Sequence, residues 1–364
     1  MKEKVLVSVV LATFAGISLA AELSFYGSLN TGLAFSHSKS TGNPATNTFK
    51  MASSIAAPSC WGIRGFEELS DGYSVSFDLQ SEFGSDDGTL LENRLFRREA
   101  RLSLHGPFGE IAFGRMGTLT SSAGSHEIFL SASDANCGGW GTDTGVIGGF
   151  NFFFDVIRAD NTVSYVTPSF SGLKFHAQYS FKTDGVYGQG NEGRNSAKRY
   201  AGVGLSYKNG PLSVATVFDA TFNRADDPIA KRDGRKFSIG GNCDFGPATL
   251  YLAYQYGRNE NWAAISGNEF GTQLKGHVFH TGLVVPTEGG SWLTLGAYYT
   301  TVESVADDTK TAKAYDLTAY YAYRFSKRTL LFAGMGYGEI WHKMTGPENR
   351  VKCFDAAFGL HHVF

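Results

Sequence analysis

The last fourteen residues run Val351-Lys352-Cys353-Phe354-Asp355-Ala356-Ala357-Phe358-Gly359-Leu360-His361-His362-Val363-Phe364. Successive side chains of a strand point to opposite sides, so Phe354, Ala356, Phe358, Leu360, His362 and Phe364 share one face. Asp355, Gly359 and His361 fall on the other, and the chain stops on phenylalanine. The segment reads as a strand with one apolar face. An ordinary edge strand that ends at an aromatic is the plainer alternative.

The same period of two recurs toward the N-terminus. Between Gly72 and Phe83, Tyr73, Val75, Phe77 and Leu79 oppose Ser74, Ser76, Asp78, Gln80 and Glu82. Leu173, Phe175, Ala177, Tyr179 and Phe181 oppose Lys174, His176, Gln178 and Ser180, and Leu212–Phe222 and Tyr315–Phe325 repeat the pattern. Such faces also suit a half-buried soluble sandwich, so alternation alone leaves two folds open.

The connections separate them. Short turns occur at 69–72, 106–109, 168–172, 209–211, 246–247, 288–290 and 326–328. Longer polar segments alternate with them near 37–52, 84–94, 117–157, 183–198, 223–235, 259–276, 305–312 and 342–350. Short turns at one rim and long loops at the other delimit sixteen antiparallel strands, an even number that returns both termini to one side, as in a transmembrane β-barrel.

The beginning of the chain agrees. Met1-Lys2-Glu3-Lys4 is a short charged start, Val5–Leu19 is an apolar run too short to span a bilayer, and Ser18-Leu19-Ala20 offers small residues for cleavage. Residues 1–20 therefore read as a signal peptide and 21–364 as one barrel domain. No later stretch has the roughly 20 apolar residues of a transmembrane helix. Aromatics make up 14%, Gly 45 residues and Pro only 9, and this mixture suits strands that are polar on one side and apolar on the other. The formal charge of −2 gives no sign of nucleic-acid binding. Four scattered cysteines and nine scattered histidines lack metal-ligand spacing, and neither a cofactor motif nor a catalytic motif is present, so enzymatic activity is not expected.

With these elements in place, the ending resembles the terminal signature by which outer-membrane barrels reach their insertion machinery. The chain as a whole resembles the Gram-negative general diffusion porins, particularly their beta-proteobacterial branch. The resemblance rests on Leu23-Ser24-Phe25-Tyr26-Gly27, on Ser59–Leu69, on Phe96-Arg97-Arg98-Glu99-Ala100 through Phe113-Gly114-Arg115, on Arg158–Gly172 and on the final Gly359–Phe364. It implies an outer-membrane channel for passive diffusion of small hydrophilic solutes and ions, with a third loop folded into the lumen. It further implies a homotrimer with Tyr26 near the subunit contact, surrounded by outer-membrane lipid and lipopolysaccharide.

The resemblance also implies a constriction between the inward loop and basic wall residues. The connection 117–157 is the longest and carries Glu127, Asp134, Asp143 and Asp155 with His126. On the wall, Arg98 and Arg158 match family positions. Arg64 joins them by pleat parity, whereas Arg115 and Arg98 share parity with apolar residues, so their inward direction requires a bulge. Cys60 stands where the family usually carries an arginine, which weakens the expected anion preference or widens the pore, and a Cys60–Cys137 disulfide is one way to tether the loop. The nearest alternative is a substrate-selective porin, with a ladder of aromatics for sugars or a continuous basic track for anions, which Lys174, His176 and Lys182 would begin. Long loops acting as an adhesin form the remaining alternative.

Overall fold

The computed structural model describes residues 21–121, 124–135, 152–153, 156–227, 230, 232–262, 273–343 and 348–364. The proposed signal peptide, together with Cys137, Asp143 and Asp155, lies outside the described residues.

Seventeen strand segments form one antiparallel sheet. They are β1 (Ala21–Ser40), β2 (Thr46–Ser53), β3 (Cys60–Glu68), β4 (Ser74–Glu82), β5 (Glu99–Gly106), β6 (Gly109–Gly117), β7 (Arg158–Val166), β8 (Leu173–Ser180), β9 (Arg199–Asn209), β10 (Leu212–Phe222), β11 (Gly234–Asp244), β12 (Thr249–Glu260), β13 (Leu274–Pro286), β14 (Trp292–Ser304), β15 (Thr311–Arg324), β16 (Thr329–Lys343) and β17 (Asn349–Val363). Each pairs with its neighbour, and β17 returns to β1 in register from Ser28↔Val363 to Ser40↔Val351. The sheet therefore closes on itself and leaves no edge. β2 and β3 pair with the upper and lower halves of β1, so they are two halves of one stave and the barrel has sixteen.

The terminal phenylalanine completes the seam. The Phe364 amide donates to the Gly27 carbonyl at 3.0 Å, Gly27 donates back at 3.2 Å, and the Phe364 ring stacks on Phe25 at 5.7 Å. The short-turn rim is built from tight hairpins. At one of them Asp71 and Gly72 both have positive φ (62° and 77°), which matches the right-handed twist of the strands they join.

The segment expected as a loop over 37–52 is mostly strand. β1 continues to Ser40, β2 starts at Thr46, and Phe35 pairs with Phe49. Its Ser, Thr and Asn residues read as loop composition, yet they occupy the polar face of a hairpin. A true interruption follows at residues 54–59. There Ile55 turns into the barrel against Ala34, Phe332 and Ala357, and Asn30 is fully buried beneath Ser59 and Ser85, whose hydroxyls both donate to its carbonyl.

Alternation sorts the side chains as expected. Phe25, Leu29 and Leu33 on β1 point outward and are exposed, while Ser28, Asn30 and Ala34 point inward. Tyr26 also points inward, where its hydroxyl donates to Asp78 and accepts from Gln80 Nε2 at 3.1 Å. It cannot serve an exterior subunit contact.

Candidate functional site

The described parts of the third connection, 118–121, 124–135, 152–153 and 156–157, pack against the inner side of the barrel. Leaving β6, the connection places Leu119, Ile128, Phe129 and Leu130 against inward Ala215 and Val217 of β10. A one-and-a-half-turn helix, α1 (Phe129–Ser133), packs on β10, β11 and β12. The fit is close: a Cβ at Gly240 would stand 2.4 Å from Ser133 Cβ. Farther on, Phe152 and Phe153 are fully buried, and the Phe153 amide donates to Gln255 Oε1 at 2.6 Å.

Polar groups pin the same loop. Thr120 Oγ1 donates to Asp219 at 2.7 Å, and Ser125 gives its amide (3.0 Å) and hydroxyl (3.1 Å) to Glu99. Asp134, a proposed constriction carboxylate, is fully buried. It accepts from the Tyr298 hydroxyl at 2.7 Å, and His280 Nε2 lies 3.4 Å away. Glu127 folds back on its own helix and accepts from the amides of Leu130 and Ser131. Both carboxylates thus hold the loop, and for Glu127 the reason is local: helix α1 begins with unsatisfied amides that a preceding carboxylate can accept. Burial pushes the Glu127 carboxyl up to about 8.

Facing this loop, the long-loop ends of β4–β7 gather arginines around a few carboxylates. Glu82 receives Arg97 and, at 3.3 Å, Arg98. Asp160 receives Arg94 at 2.9 Å and Arg115 at 2.5 Å, and Asp184 receives Arg94 as well. A cleft of about 470 Å³ opens here, lined by seven cationic side chains against three carboxylates. Arg158 has no hydrogen-bond or ion-pair partner among the described residues, and its Nε is buried. It feels Arg98 and Arg97 on one side and Glu82 and Glu99 on the other.

Two bulges create this wall. Arg98 and Glu99 both stand opposite Gln80: Glu99 pairs with it, and the Arg98 amide donates to its carbonyl at 3.1 Å. Arg98 Nε then reaches Gln80 Oε1 at 2.6 Å. The second lies between β6 and β7, where register shifts between Gly114 and Met116 and Asn161 has positive φ, so Arg115 turns to Asp160.

The structure therefore brings Arg98, Arg115 and Arg158 together and separates Arg64 from them. Arg64 faces inward from β3 opposite Asp78, four residues from Cys60 toward the short turns, or about 13 Å. There its Nε donates to Ser24 at 3.0 Å and its guanidinium lies over the Tyr26 ring at 5.0 Å. Cys60 is a buried free thiol, 3.5 Å from Ser28 Oγ, and supplies no charge. Lys174 and His176 share an inward face of β8, but Lys182 lies beyond the strand in the arginine cleft, so the three form no single track. Sequence reading missed Arg94, Arg97 and Asp160, although the density of Arg94, Arg97 and Arg98 was a visible signal.

A family model described as Gram-negative porin matches residues 7–340. An outer membrane porin protein of Bordetella pertussis is 29% identical over 378 residues, covering 93% of this chain and 94% of the relative. Among solved structures, an anion-selective porin from Comamonas acidovorans superposes with a TM-score of 0.66 at 24% identity, covering 94% of this chain and all of that one. A trimer form of OmpT, an outer membrane protein of Vibrio cholerae, superposes with a TM-score of 0.61 at 15% identity, covering 95% and 100%.

Proposed function

This chain belongs to the Gram-negative porin family, and from that premise we propose that its pore favours anions through an arginine wall opposite the third loop. The protein is an outer-membrane porin, a closed barrel whose water-filled lumen carries small hydrophilic solutes and ions by passive diffusion. The family and the fold are those of channel proteins.

The observation that carries the proposal is Arg158, without a hydrogen-bond or ion-pair partner among the described residues, in a cleft where cations outnumber carboxylates. Glu82 and Asp160 offset part of the charge on Arg94, Arg97, Arg98 and Arg115, while Arg158, which forms no ion pair among the described residues, leaves the wall net positive toward a passing ion. A ring of fixed charge in a narrow aqueous pore sets which sign of ion enters most readily. Arg64 supplies a second cation nearer the periplasmic mouth. Glu127 and Asp134 act indirectly, by fixing the loop that narrows the lumen. With Cys60 uncharged, the preference is moderate and the pore remains a general one.

We further propose a homotrimer, in keeping with the trimer form of the Vibrio cholerae neighbour, embedded among outer-membrane lipids that include lipopolysaccharide. Reversal potentials of the wild-type pore and of Arg158→Gln in planar bilayers under a KCl gradient test the reading. Loss of anion preference in the variant supports it, and an unchanged potential contradicts it.

A further inference from the structure

On the outer surface of β11–β13, Arg235 pairs in register with Arg258, and Arg258 with Lys275. All three point outward, because the neighbouring positions Lys236, Gly257 and Gly276 are the buried, inward ones. The row lies at the long-loop end of these strands, the extracellular side. Two residues nearer the membrane centre, about 7 Å away, Phe218, Phe237 and Tyr256 form a second row in the same register. Phe218 and Phe237 are exposed, and a cleft of about 650 Å³ runs between the rows.

Like charges directly opposite one another across a sheet are unfavourable unless a counter-charge intervenes. Elsewhere on the outer surface the protein supplies one. Lys275 Nζ is 2.7 Å from Glu303, and Arg350 Nε donates to Glu339 at 2.7 Å with Lys352 4.0 Å from the same carboxylate. Arg235 and Arg258 have no hydrogen bond or ion pair with any described residue.

We propose that Arg235 and Arg258 form a headgroup site for a phosphorylated lipid of the outer leaflet, with its acyl chains lying along Phe218, Phe237 and Tyr256. Two adjacent guanidiniums offer a phosphate several charge-assisted hydrogen bonds, and an aromatic row just beneath them stands where headgroup gives way to hydrocarbon. The inference rests on the outer-membrane reading and names the lipid contact of that reading.

The test uses the full folded chain in detergent, titrated with bisphosphorylated lipid A and followed by native mass spectrometry. Arg235→Gln/Arg258→Gln is expected to weaken lipid retention by about thirtyfold, from the loss of two cations at an anionic lipid surface. Dephosphorylated lipid A should bind the wild type as weakly as the intact lipid binds the variant. Equal retention by wild type and variant overturns the site, as does equal binding of dephosphorylated lipid or competition by inorganic phosphate alone at millimolar concentration. Should the double variant not fold, Arg235→Gln and Arg258→Gln measured singly carry the same test. Bilayer conductance of each variant, expected to match wild type, keeps failure of this site distinct from failure of the porin reading.

Discussion

Arg98 and Glu99 are neighbours in sequence, yet both turn into the lumen because both stand opposite Gln80. One bulge thereby sends an arginine to the wall, where it meets Gln80 and Glu82, and a carboxylate to the third loop, where it accepts from Ser125. The arginine wall and the loop that faces it are coupled through a single irregularity at the start of β5.

The weight of Arg158 can be measured directly. A unit charge about 8 Å from a passing ion in water contributes about 0.5 kcal/mol. The contribution has opposite sign for the two ions, so Arg158→Gln should lower the chloride-to-potassium permeability ratio by about fivefold. Arg98→Gln should do less, because Glu82 and Gln80 already engage that guanidinium. Reversal potentials under a KCl gradient give both ratios.

Cys60 permits the opposite change. It faces the lumen from β3 and carries no charge. Cys60→Arg should raise the chloride-to-potassium ratio by about fivefold on the same Coulomb argument and lower single-channel conductance. Unchanged selectivity in a folded variant would show that this stave lies outside the ion path.

Much of this was readable from alternation and turn spacing, since outward apolar residues and tight hairpins repeat from β3 to β17. Polar composition misled at 37–52, where a hairpin presents Ser and Thr on one of its faces. The wall was harder to read. Parity set Arg98 and Arg115 among outward residues, and only a bulge, which shifts register without marking composition, turns them inward. Asp134 and Glu127 read as pore charges because a sequence displays a carboxylate but not its partner. Tyr298 and the amides of α1 proved to be those partners.

Loop anchoring has its own signature. Tyr298→Phe removes a hydrogen bond from the buried Asp134, at a cost of about 1–3 kcal/mol. The barrel should still fold, while the loop loosens. Open-channel current noise should rise, and limited proteolysis should cut within residues 117–157 faster than in wild type.

The Glu127 carboxyl, raised to about 8, is mainly neutral at pH 7 and ionised at pH 9. Its charge appears as pH rises through 8, adding a negative group to the lumen. Anion preference should accordingly fall between pH 7 and pH 9. In Glu127→Gln this part of the pH dependence should vanish, and reversal potentials at the two pH values decide it.

The most direct test of the account is the zero-current potential of the purified wild-type protein in a planar bilayer separating dilute from concentrated KCl. Stable, ohmic channels with moderate selectivity for chloride are expected. Cation selectivity, or a correctly folded barrel that conducts no ions, would contradict it.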